Sequence, residues 1–375
     1  MAQQVSLADR LFNAGSIGDL TSEFAAGLPG FPARDMADRI VACLPGRALL
    51  ERLEWIADCL EPHLAPDFPT MADQLEATMP APLDPFLGDD DFGRFIHAVP
   101  GILAARHGLV HHRDRAPDLL YEATQRFSME FYIRPFLNRW PEAILTRLRT
   151  WAEDGNYHVR RLVSEGTRPR LPWAKAVTIM PDETLPLLDR LHGDPTRYVT
   201  RSVANHLNDI AKTDPEAVLA RLATWERAAA QETKELDWMR RHSLRTLVKN
   251  GHPGALEALG YAADLAVQAV LSLGADMVPV GAALPIEIRM NGPPGARVMV
   301  DYEITFHRPR GRTGRKVFKL RAGVLGHDGR LNLTRQHRLK GNATTFTLHP
   351  GPHRIAVQVN GTIRAEAGFT LLSHR

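Results

Sequence analysis

The feature that most constrains the fold is an internal repeat in the middle of the chain. The segment PEAILTRLRTW (Pro141–Trp151) recurs as PEAVLARLATW (Pro215–Trp225), with looser copies at Pro45–Trp55 and Pro181–Leu191. Each copy starts with proline and spaces its leucines three or four residues apart. Proline fits the first turn of a helix, and this leucine spacing makes one helix face apolar. Each copy therefore predicts the start of an amphipathic helix.

A second helix is predicted after the copies in the middle of the chain. The segments VRRLVSE, VTRSVAN and MRRHSLR begin at Val159, Val199 and Met239, which stand forty residues apart. Paired helices at this period are typical of a HEAT-like α-α superhelical solenoid, in which neighbouring pairs bury each other's apolar faces. We therefore predict a mostly α-helical domain over residues 1–268.

The sequence pattern changes class near Asp276. Beyond this point apolar and polar residues alternate with a period of two, and turn residues interrupt the alternation at short intervals. The predicted strands are Ile286–Met290, Ala296–Phe306, Lys316–Leu320, Thr344–Leu348, Arg354–Val359 and Ile363–Leu371. The pair Asn360-Gly361 is typical of a two-residue hairpin turn. We predict an all-β immunoglobulin-like sandwich over residues 276–375, without a disulfide.

Composition limits the class of protein further. The chain has 375 residues, 44% of them hydrophobic, which is enough for more than one domain with its own core. Cys43 and Cys59 both fall in apolar, helix-patterned sequence, so we predict buried reduced thiols. The N-terminal sequence lacks the features of a signal peptide, and no apolar stretch approaches the ~20 residues of a membrane helix. The expected location is the cytoplasm, with no membrane partner.

Charge is distributed unevenly along the chain. Residues 1–120 hold nine Lys/Arg against eighteen Asp/Glu, whereas residues 266–375 hold sixteen Lys/Arg against six Asp/Glu. Between two predicted strands lies HRPRGRTGRK (His307–Lys316), a glycine-containing loop with four arginines and one lysine. A basic loop can serve solubility alone, but in so basic a domain we favour contact with phosphates or with a DNA minor groove.

One carboxylate among arginines marks the segment Tyr157–Trp173. Its acid is Glu165, and it ends on Trp173 after two prolines. The arginines of the segment are Arg160, Arg161, Arg168 and Arg170. An acid in a basic surround is a plausible place to bind a polyanion and act on it chemically.

A second carboxylate, Glu130, lies in a helix predicted over Pro117–Leu137. This helix is apolar nearly all round, and Glu130 stands between Met129 and Phe131. Charged residues four apart in the same segment can form an ordinary exposed face. In so hydrophobic a helix, however, Glu130 is a candidate for partial burial, where a carboxylate must be paired or functional.

Arginine recurs at the same place in successive second helices, at Arg161, Arg201 and Arg241. Solvated or inter-repeat contacts are one interpretation of this row. A row that faces DNA is the other, and we favour it because the same helices carry further basic residues. The residues predicted to bind DNA are Arg160, Arg161, Arg168, Arg170, Arg201, His206, Arg241, Arg245, Lys249, Arg308, Arg310, Arg312 and Arg315.

Motifs of several other chemistries are missing from the sequence. There is no G-x-S-x-G elbow, no Walker loop and no C-x-x-C pair. The pair His111-His112 lacks a carboxylate or cysteine at ligand spacing. The acidic run Asp89–Asp91 is typical of a helix entry or a solvated loop rather than of a metal site. We therefore predict no metal and no cofactor.

Four segments of the helical part, followed by the immunoglobulin-like tail, resemble one family. They are TQRFSMEFYIRPFL (Thr124–Leu137), VRRLVSEGTRPRLPW (Val159–Trp173), YVTRSVANHLNDIAK (Tyr198–Lys212) and RHSLRTLVKNGHP (Arg241–Pro253). The chain looks like an AlkC-type DNA glycosylase of the HEAT-like alkylpurine family, and the resemblance starts near residue 35.

This resemblance implies a monofunctional glycosylase of base-excision repair. Such an enzyme hydrolyses the N-glycosidic bond of 3-methyladenine or 3-methylcytosine in DNA. In that family two glutamates and a tryptophan form the site, and the matching positions here are Glu130, Glu165 and Trp173. The implied roles are charge stabilisation near the sugar for Glu165, a cooperating electrostatic role for Glu130, and contact with the deoxyribose for Trp173.

A non-catalytic HEAT-repeat module that binds DNA or a protein partner stays open beside the enzyme. The predicted partner is double-stranded DNA carrying alkylated bases, and the predicted oligomeric state is a monomer. The expected location becomes the cytoplasm of a bacterium, on the nucleoid when the protein is bound to DNA.

Overall fold

A computed structural model of the chain describes residues 6–89, 91–341 and 346–373. These residues divide into two compact units. The helical unit comprises residues 6–210 and 223–239, and the β unit comprises residues 211–222 and 240–373. The predicted domain limits, 1–268 and 276–375, stay a prediction.

The described residues form sixteen α-helices before the first strand. They are α1 Leu7–Leu11, α2 Ala14–Gly27, α3 Ala33–Ala42, α4 Leu49–Leu60, α5 Phe68–Thr78, α6 Val99–Leu103, α7 Arg115–Thr124, α8 Glu130–Arg139, α9 Pro141–Trp151, α10 Tyr157–Gly166, α11 Pro181–Leu191, α12 Arg197–Ile210, α13 Pro215–Ala228, α14 Thr233–Ser243, α15 Arg245–Lys249 and α16 Pro253–Ala258. In the part of the chain that the structure describes, no helix is both long and apolar enough to cross a membrane.

The repeated segments form the predicted helix pairs. Helices α9, α11 and α13 begin at the prolines of three copies, and α10, α12 and α14 follow them. Ile144 and Leu148 of α9 and Leu162 of α10 are completely buried, as one-sided apolar helices require. The predicted HEAT-like fold class is confirmed. The copy at Pro45 is helical only from Leu49, so its proline lies outside the helix.

Two predictions about the helical part are wrong. The single helix expected over Pro117–Leu137 is two helices, α7 and α8, because the chain turns at residues 125–129, where Phe127 forms an isolated β-bridge with Gly93. Cys59 is buried as expected, but Cys43 caps the C-terminal end of α3 and is exposed; both are free thiols.

The β unit is a two-sheet sandwich, which confirms the predicted class. Its strands are β1 Gln268–Leu273, β2 Met277–Pro279, β3 Ala283–Asn291, β4 Arg297–His307, β5 Thr313–Val324, β6 Arg330–Arg338, β7 Gly351–Val359 and β8 Thr362–Leu372. One sheet has the order β1-β3-β6 and the other β2-β8-β7-β4-β5. Apolar residues from both sheets, including Ile288, Val300 and Ile355, form one buried core.

The strand predictions succeed where local signals are strong. Asn360 and Gly361 both adopt positive φ, 47° and 82°, in the two-residue turn between β7 and β8. Strands β1, β2 and β6 were not predicted. The strand expected over Thr344–Leu348 begins outside the described residues, and Phe346–Leu348 is not in a strand.

Candidate active site

Two helices of the helical unit, α8 and α10, bring the two candidate glutamates onto one guanidinium. Arg161 of α10 contacts Glu130 of α8 through Nη1 and Oε2 at 2.7 Å, and its Nη2 lies 3.7 Å from Glu165 Oε2. Glu130 occupies the first turn of α8, where the helix dipole stabilises negative charge. Glu130 and Glu165 therefore lie in one cluster, although 35 residues separate them in sequence.

Glu165 is the more deeply held of the two acids. Its side chain is 6% exposed, against 16% for Glu130. Arg168 Nη1 donates to Oε1 at 2.5 Å, and the Ser202 hydroxyl of α12 donates to Oε2 at 2.6 Å. Burial acts to raise the pKa of Glu165, but Arg161, Arg168 and the Ser202 hydrogen bond together hold that pKa below its ordinary value. The carboxylate is therefore ionised at neutral pH.

The two arginines link Glu165 to the neighbouring helices. Arg168 also contacts Asp209 of α12, with Nη2 and Oδ2 2.8 Å apart. The Arg161 guanidinium lies 4.7 Å from the centre of the Tyr198 ring, a cation-π contact. Burial acts to lower the pKa of both arginines, yet the adjacent carboxylates raise it. Three carboxylates thus face two guanidiniums that stay charged.

Trp173 lies on the loop that follows α10. Its side chain is 74% exposed, and its backbone adopts the left-handed conformation with φ 65°. A non-glycine residue in this region is strained by about 1 kcal/mol or more. Large exposed indoles on strained backbone are unusual in a soluble protein, and such strain is concentrated at functional sites.

Buried Arg134 of α8 holds both ends of the Trp173 loop. Its guanidinium donates to the carbonyls of Gly166 at 3.0 Å, Arg168 at 2.8 Å and Lys175 at 2.5 Å. Burial, and then the like charge of Arg168, lowers the pKa of Arg134 to about 10, so it remains charged at neutral pH. These three bonds attach the loop to the helix whose first residue is Glu130.

Several arginines predicted to bind DNA have protein partners in the helical unit. Arg160 contacts Asp194 at 2.6 Å, Arg161 and Arg168 belong to the carboxylate cluster, and Arg201 forms an ion pair with Asp89. In the row Arg161, Arg201 and Arg241, the first two therefore form contacts within the protein, as the first interpretation of the row expects. Contact of these residues with DNA stays a prediction.

The structure contradicts the prediction that His206 binds DNA. Its side chain is completely buried, and Nδ1 lies 3.1 Å from the Ser164 carbonyl oxygen, so in this structure it cannot reach a phosphate. Burial lowers the pKa of His206 to about 4, and a neutral imidazole offers no charge to DNA. Periodicity placed His206 on the second helix but could not show which face it occupies.

The remaining predicted DNA-binding residues are exposed. In the helical unit this holds for Arg170. In the β unit Arg315 pairs with Glu303, and Arg245 donates to the carbonyl of His242. The other predicted DNA-binding residues of the β unit, all of them exposed, are Arg241, Lys249, Arg308, Arg310 and Arg312.

Sequence reasoning missed four residues of the cluster and its surroundings: Arg134, Tyr198, Ser202 and Asp209. Each is a polar or aromatic residue that the packing of α8 or α12 buries. A polar residue at a buried helix position is the one signal that could have identified them, because a buried polar group needs a partner.

No metal centre is present among the described residues, since they contain no cluster of three or more His, Cys, Asp or Glu side chains suited to holding an ion. His112 packs its ring against Phe68 at 5.0 Å, and Asp89 pairs with Arg201. Asp90, the middle residue of the acidic run, lies outside the described residues.

Comparison with known proteins defines the class first: a helical-repeat protein of DNA alkylation repair. Residues 127–249 match the family model described as DNA alkylation repair enzyme, and this range contains both candidate glutamates and Trp173. Residues 268–373 match the model described as the C-terminal Ig-like domain of YhaZ.

Two relatives extend these matches. The YhaZ protein of Bacillus subtilis (strain 168), described as uncharacterized, is 34% identical over 268 residues, covering 70% of this chain and 73% of YhaZ. A second relative is the alkylpurine DNA glycosylase AlkC of Pseudomonas fluorescens, whose structure was solved bound to DNA containing an abasic site analog. Its sequence is 30% identical to this chain, and the two structures superpose with a TM-score of 0.84. That match covers 98% of this chain and 100% of the AlkC chain. The chain belongs to the AlkC-type family of DNA alkylation repair proteins, in which an Ig-like domain follows the helical repeat.

Proposed function

We propose that this protein is a monofunctional DNA glycosylase that removes cationic N3-methylated bases, 3-methyladenine and 3-methylcytosine, from duplex DNA. The observation that carries the proposal is the pairing of Glu130 and Glu165 on Arg161, in the same unit as an exposed tryptophan on strained backbone. Membership of the AlkC-type family supports the same reaction class.

The chemistry of the substrate fits a site made of carboxylates. A base methylated at N3 is already cationic, so it leaves without a general acid. The remaining task is to stabilise positive charge developing on the deoxyribose and to position a water. Glu130, Glu165 and Asp209 provide three negative charges against the two positive charges of Arg161 and Arg168. Arg134, which interacts electrostatically with the same three carboxylates, brings the sum to zero, so the carboxylates act on a cationic sugar through their positions and not through an excess of negative charge.

The two glutamates are assigned different roles. Glu165 is buried, ionised and held by three side chains, so its position is fixed before substrate arrives, and we assign it the stabilisation of charge on the sugar. Glu130 is the more exposed of the pair and lies at a helix start, so we assign it the positioning of the water. Water reaches Glu130 more readily than Glu165, and this accessibility supports the division.

Trp173 is assigned to the deoxyribose. Its exposed ring can lie against a sugar, and the electron-rich face of indole attracts positive charge. The hydrogen bonds from Arg134 fix the loop, so the ring is presented without a large ordering cost on binding. The partner is double-stranded DNA carrying alkylated bases, bound by a monomer in the bacterial cytoplasm.

The test is release of methylated bases from alkylated duplex DNA by the intact protein and by Glu165→Gln. The amide keeps the shape of the side chain but removes the charge, so we expect base release to fall at least about a hundredfold. Affinity for undamaged duplex should change little, because the removed charge is not a phosphate contact. Glu142→Gln, an exposed acid on α9, is the matched control and should keep full activity.

A second candidate function is a non-catalytic DNA-binding or scaffold module. The ion pairs of Arg161 with Glu130 and of Arg201 with Asp89 favour it, since these two arginines of the recurring row already have protein partners. An intact protein that binds alkylated duplex but releases no base would support this module and contradict the glycosylase.

A further inference from the structure

A half-open cavity lies beside the core of the β unit, apart from the candidate active site. It encloses 220 Å³, and its walls come from β4, β5, β6 and four residues beyond β6, namely Leu339, Lys340, Phe346 and Leu348. Strands β5 and β6 each end one of the two sheets. Unpaired edges therefore meet on this side of the sandwich, and side chains rather than backbone hydrogen bonds fill the gap between the sheets.

Phenylalanine rings form the apolar wall of the cavity. Phe306 and Phe346 have ring centres 6.3 Å apart, and Phe318 stacks on buried Tyr302 at 5.2 Å with 14° between the ring planes. All three phenylalanines are half-buried and pack against the core, so the core holds their rings while part of each remains accessible.

The rim of the cavity is cationic. Exposed Lys316, Arg338 and Lys340 line it, and none of the described residues that line it is acidic. Lys316 Nζ lies 5.4 Å from the centre of the Phe318 ring and 4.9 Å from that of Phe346. Apolar rings below a positive rim are complementary to a flat aromatic group that carries negative charge.

One wall also presents a neutral polar ring, that of His337. The Tyr302 hydroxyl lies 2.8 Å from His337 Nδ1, so this ring nitrogen is engaged and Nε2 is the other hydrogen-bonding atom of the ring. Burial, with the nearby charges of Arg335 and Lys316, lowers the pKa of His337 to about 4 and keeps the ring neutral.

The size of the cavity selects among aromatic anions. Pockets for drug-sized ligands enclose about 300–1,000 Å³. At 220 Å³ this one is too small for a dinucleotide cofactor but has room for one heteroaromatic ring system, with its sugar and phosphate outside. We propose that the cavity binds one unstacked base of single-stranded DNA, with adjoining phosphates on Lys316, Arg338 and Lys340. Aromatic stacking beside a basic groove is the usual basis of sequence-tolerant single-strand binding.

The cavity is continuous with the basic hairpin of the β unit. Phe306 pairs with Gly314, and Ile304 pairs with Lys316, in the β4–β5 ladder whose turn carries Arg308, Arg310 and Arg312. A strand whose phosphates follow that turn would reach the cavity within the same hairpin. The inference concerns binding alone and does not depend on the excision of bases.

The experiment compares two single strands of equal length on the full-length protein: oligothymidine and an abasic strand of the same phosphate count. Dissociation constants are measured by fluorescence anisotropy at low salt. Since both strands carry the same charge, a base site predicts about tenfold tighter binding of oligothymidine. Phe346→Leu keeps an apolar side chain without an aromatic face and should remove this preference, whereas Phe346→Tyr should retain it.

Two further variants separate the rim from the wall and from other surfaces. Lys316→Ala should weaken both strands equally and reduce the salt slope by about one, while Lys319→Ala, an exposed lysine on the same strand, should not weaken both strands in this way. Phe86→Leu, which changes an exposed phenylalanine of the helical unit, should keep the preference. Thermal unfolding midpoints check that each variant is folded.

Two results would overturn the proposal. One is equal affinity of the intact protein for the two strands, which would leave the cavity without a base. The other is an undiminished preference in folded Phe346→Leu, which would put the base on another surface. Displacement of oligothymidine by free thymidine monophosphate at an equal concentration of nucleotide would indicate a free-nucleotide site and would likewise contradict a strand site. A failure here leaves the base-release test of Glu165 untouched.

Discussion

Arginine has opposite roles in the two units of the molecule. In the helical unit Arg134, Arg161 and Arg168 are largely buried, and each is held by carboxylates or by backbone carbonyls. In the turn between β4 and β5, by contrast, Arg308, Arg310 and Arg312 extend into solvent. The first set fixes the geometry of a site, whereas the second set offers charge to a partner.

The difference shows that the position of an arginine matters more than its presence. The charge of a buried guanidinium is neutralised by its carboxylate partners, so it attracts a distant phosphate only weakly. Its removal, however, leaves unpaired carboxylate charge in the protein interior. An exposed guanidinium contributes little to folding and can release counterions from DNA. The comparison therefore separates effects on stability from effects on binding.

The largest expected effect is that of Arg161→Met. The change leaves Glu130 and Glu165 without their shared partner, and breaking a buried ion pair costs about 3–5 kcal/mol of unfolding free energy. Urea unfolding followed by circular dichroism measures the loss. Arg149→Met, an exposed arginine of α9, is the control and should change stability by less than about 0.5 kcal/mol. If both variants lost the same unfolding free energy, the buried ion pairs of Arg161 would contribute no more to stability than an exposed arginine does.

The second effect is a loss of stability in mild acid. Burial lowers the pKa of His206 and of His158 from 6.5 to about 4. Between these values the unfolded chain binds more protons than the folded one, so stability is present above pH 6.5 and falls as the pH falls toward 4. Each histidine should cost on the order of 2 kcal/mol at pH 5 relative to pH 7.

The matched variants for this prediction are His206→Asn and His111→Asn. The first removes the buried titrating ring, so its unfolding free energy should depend less on pH than that of the intact protein. The second changes an exposed histidine and should keep the full dependence. A pH dependence that is the same in all three proteins would show that His206 does not resist protonation.

The third effect concerns the exposed arginines. Replacing Arg310 and Arg312 together by serine should weaken duplex binding about tenfold and reduce the slope of log affinity against log salt by about two. Stability should stay the same, because neither side chain is buried. Arg321 and Arg330, also exposed in the β unit, supply a double-serine control with the same charge change. If both double variants weaken binding equally, the turn has no special role.

The smallest effect distinguishes strain from contact at Trp173. Glycine adopts positive φ without penalty, so Trp173→Gly should be more stable than Trp173→Ala by about 1 kcal/mol. Both variants lack the indole and should lose base release to the same extent. Urea unfolding and the base-release assay on the two variants provide the measurements. Equal stability would mean that the left-handed backbone stores no strain.

The sequence determined the features that depend on neighbouring residues. Helices α9 and α11 start at the repeated prolines, and the turn at Asn360-Gly361 has the positive φ values that its residues favour. Such signals act within about ten residues, so one chain suffices to see them. The acidic pair Glu130 and Glu165 was also indicated, one by its apolar helix and the other by its arginine-rich segment.

Only the tertiary structure decided how the charges pair. Arg161 meets a carboxylate 31 residues away, Arg134 holds carbonyls up to 41 residues away, and Arg168 contacts an acid at the same separation of 41 residues. Periodicity places a residue on a helix, but the packing of the helices sets which face is buried and which partner a guanidinium finds. That is why the sequence assigned His206 to DNA, while the fold buries it against the backbone of a neighbouring helix.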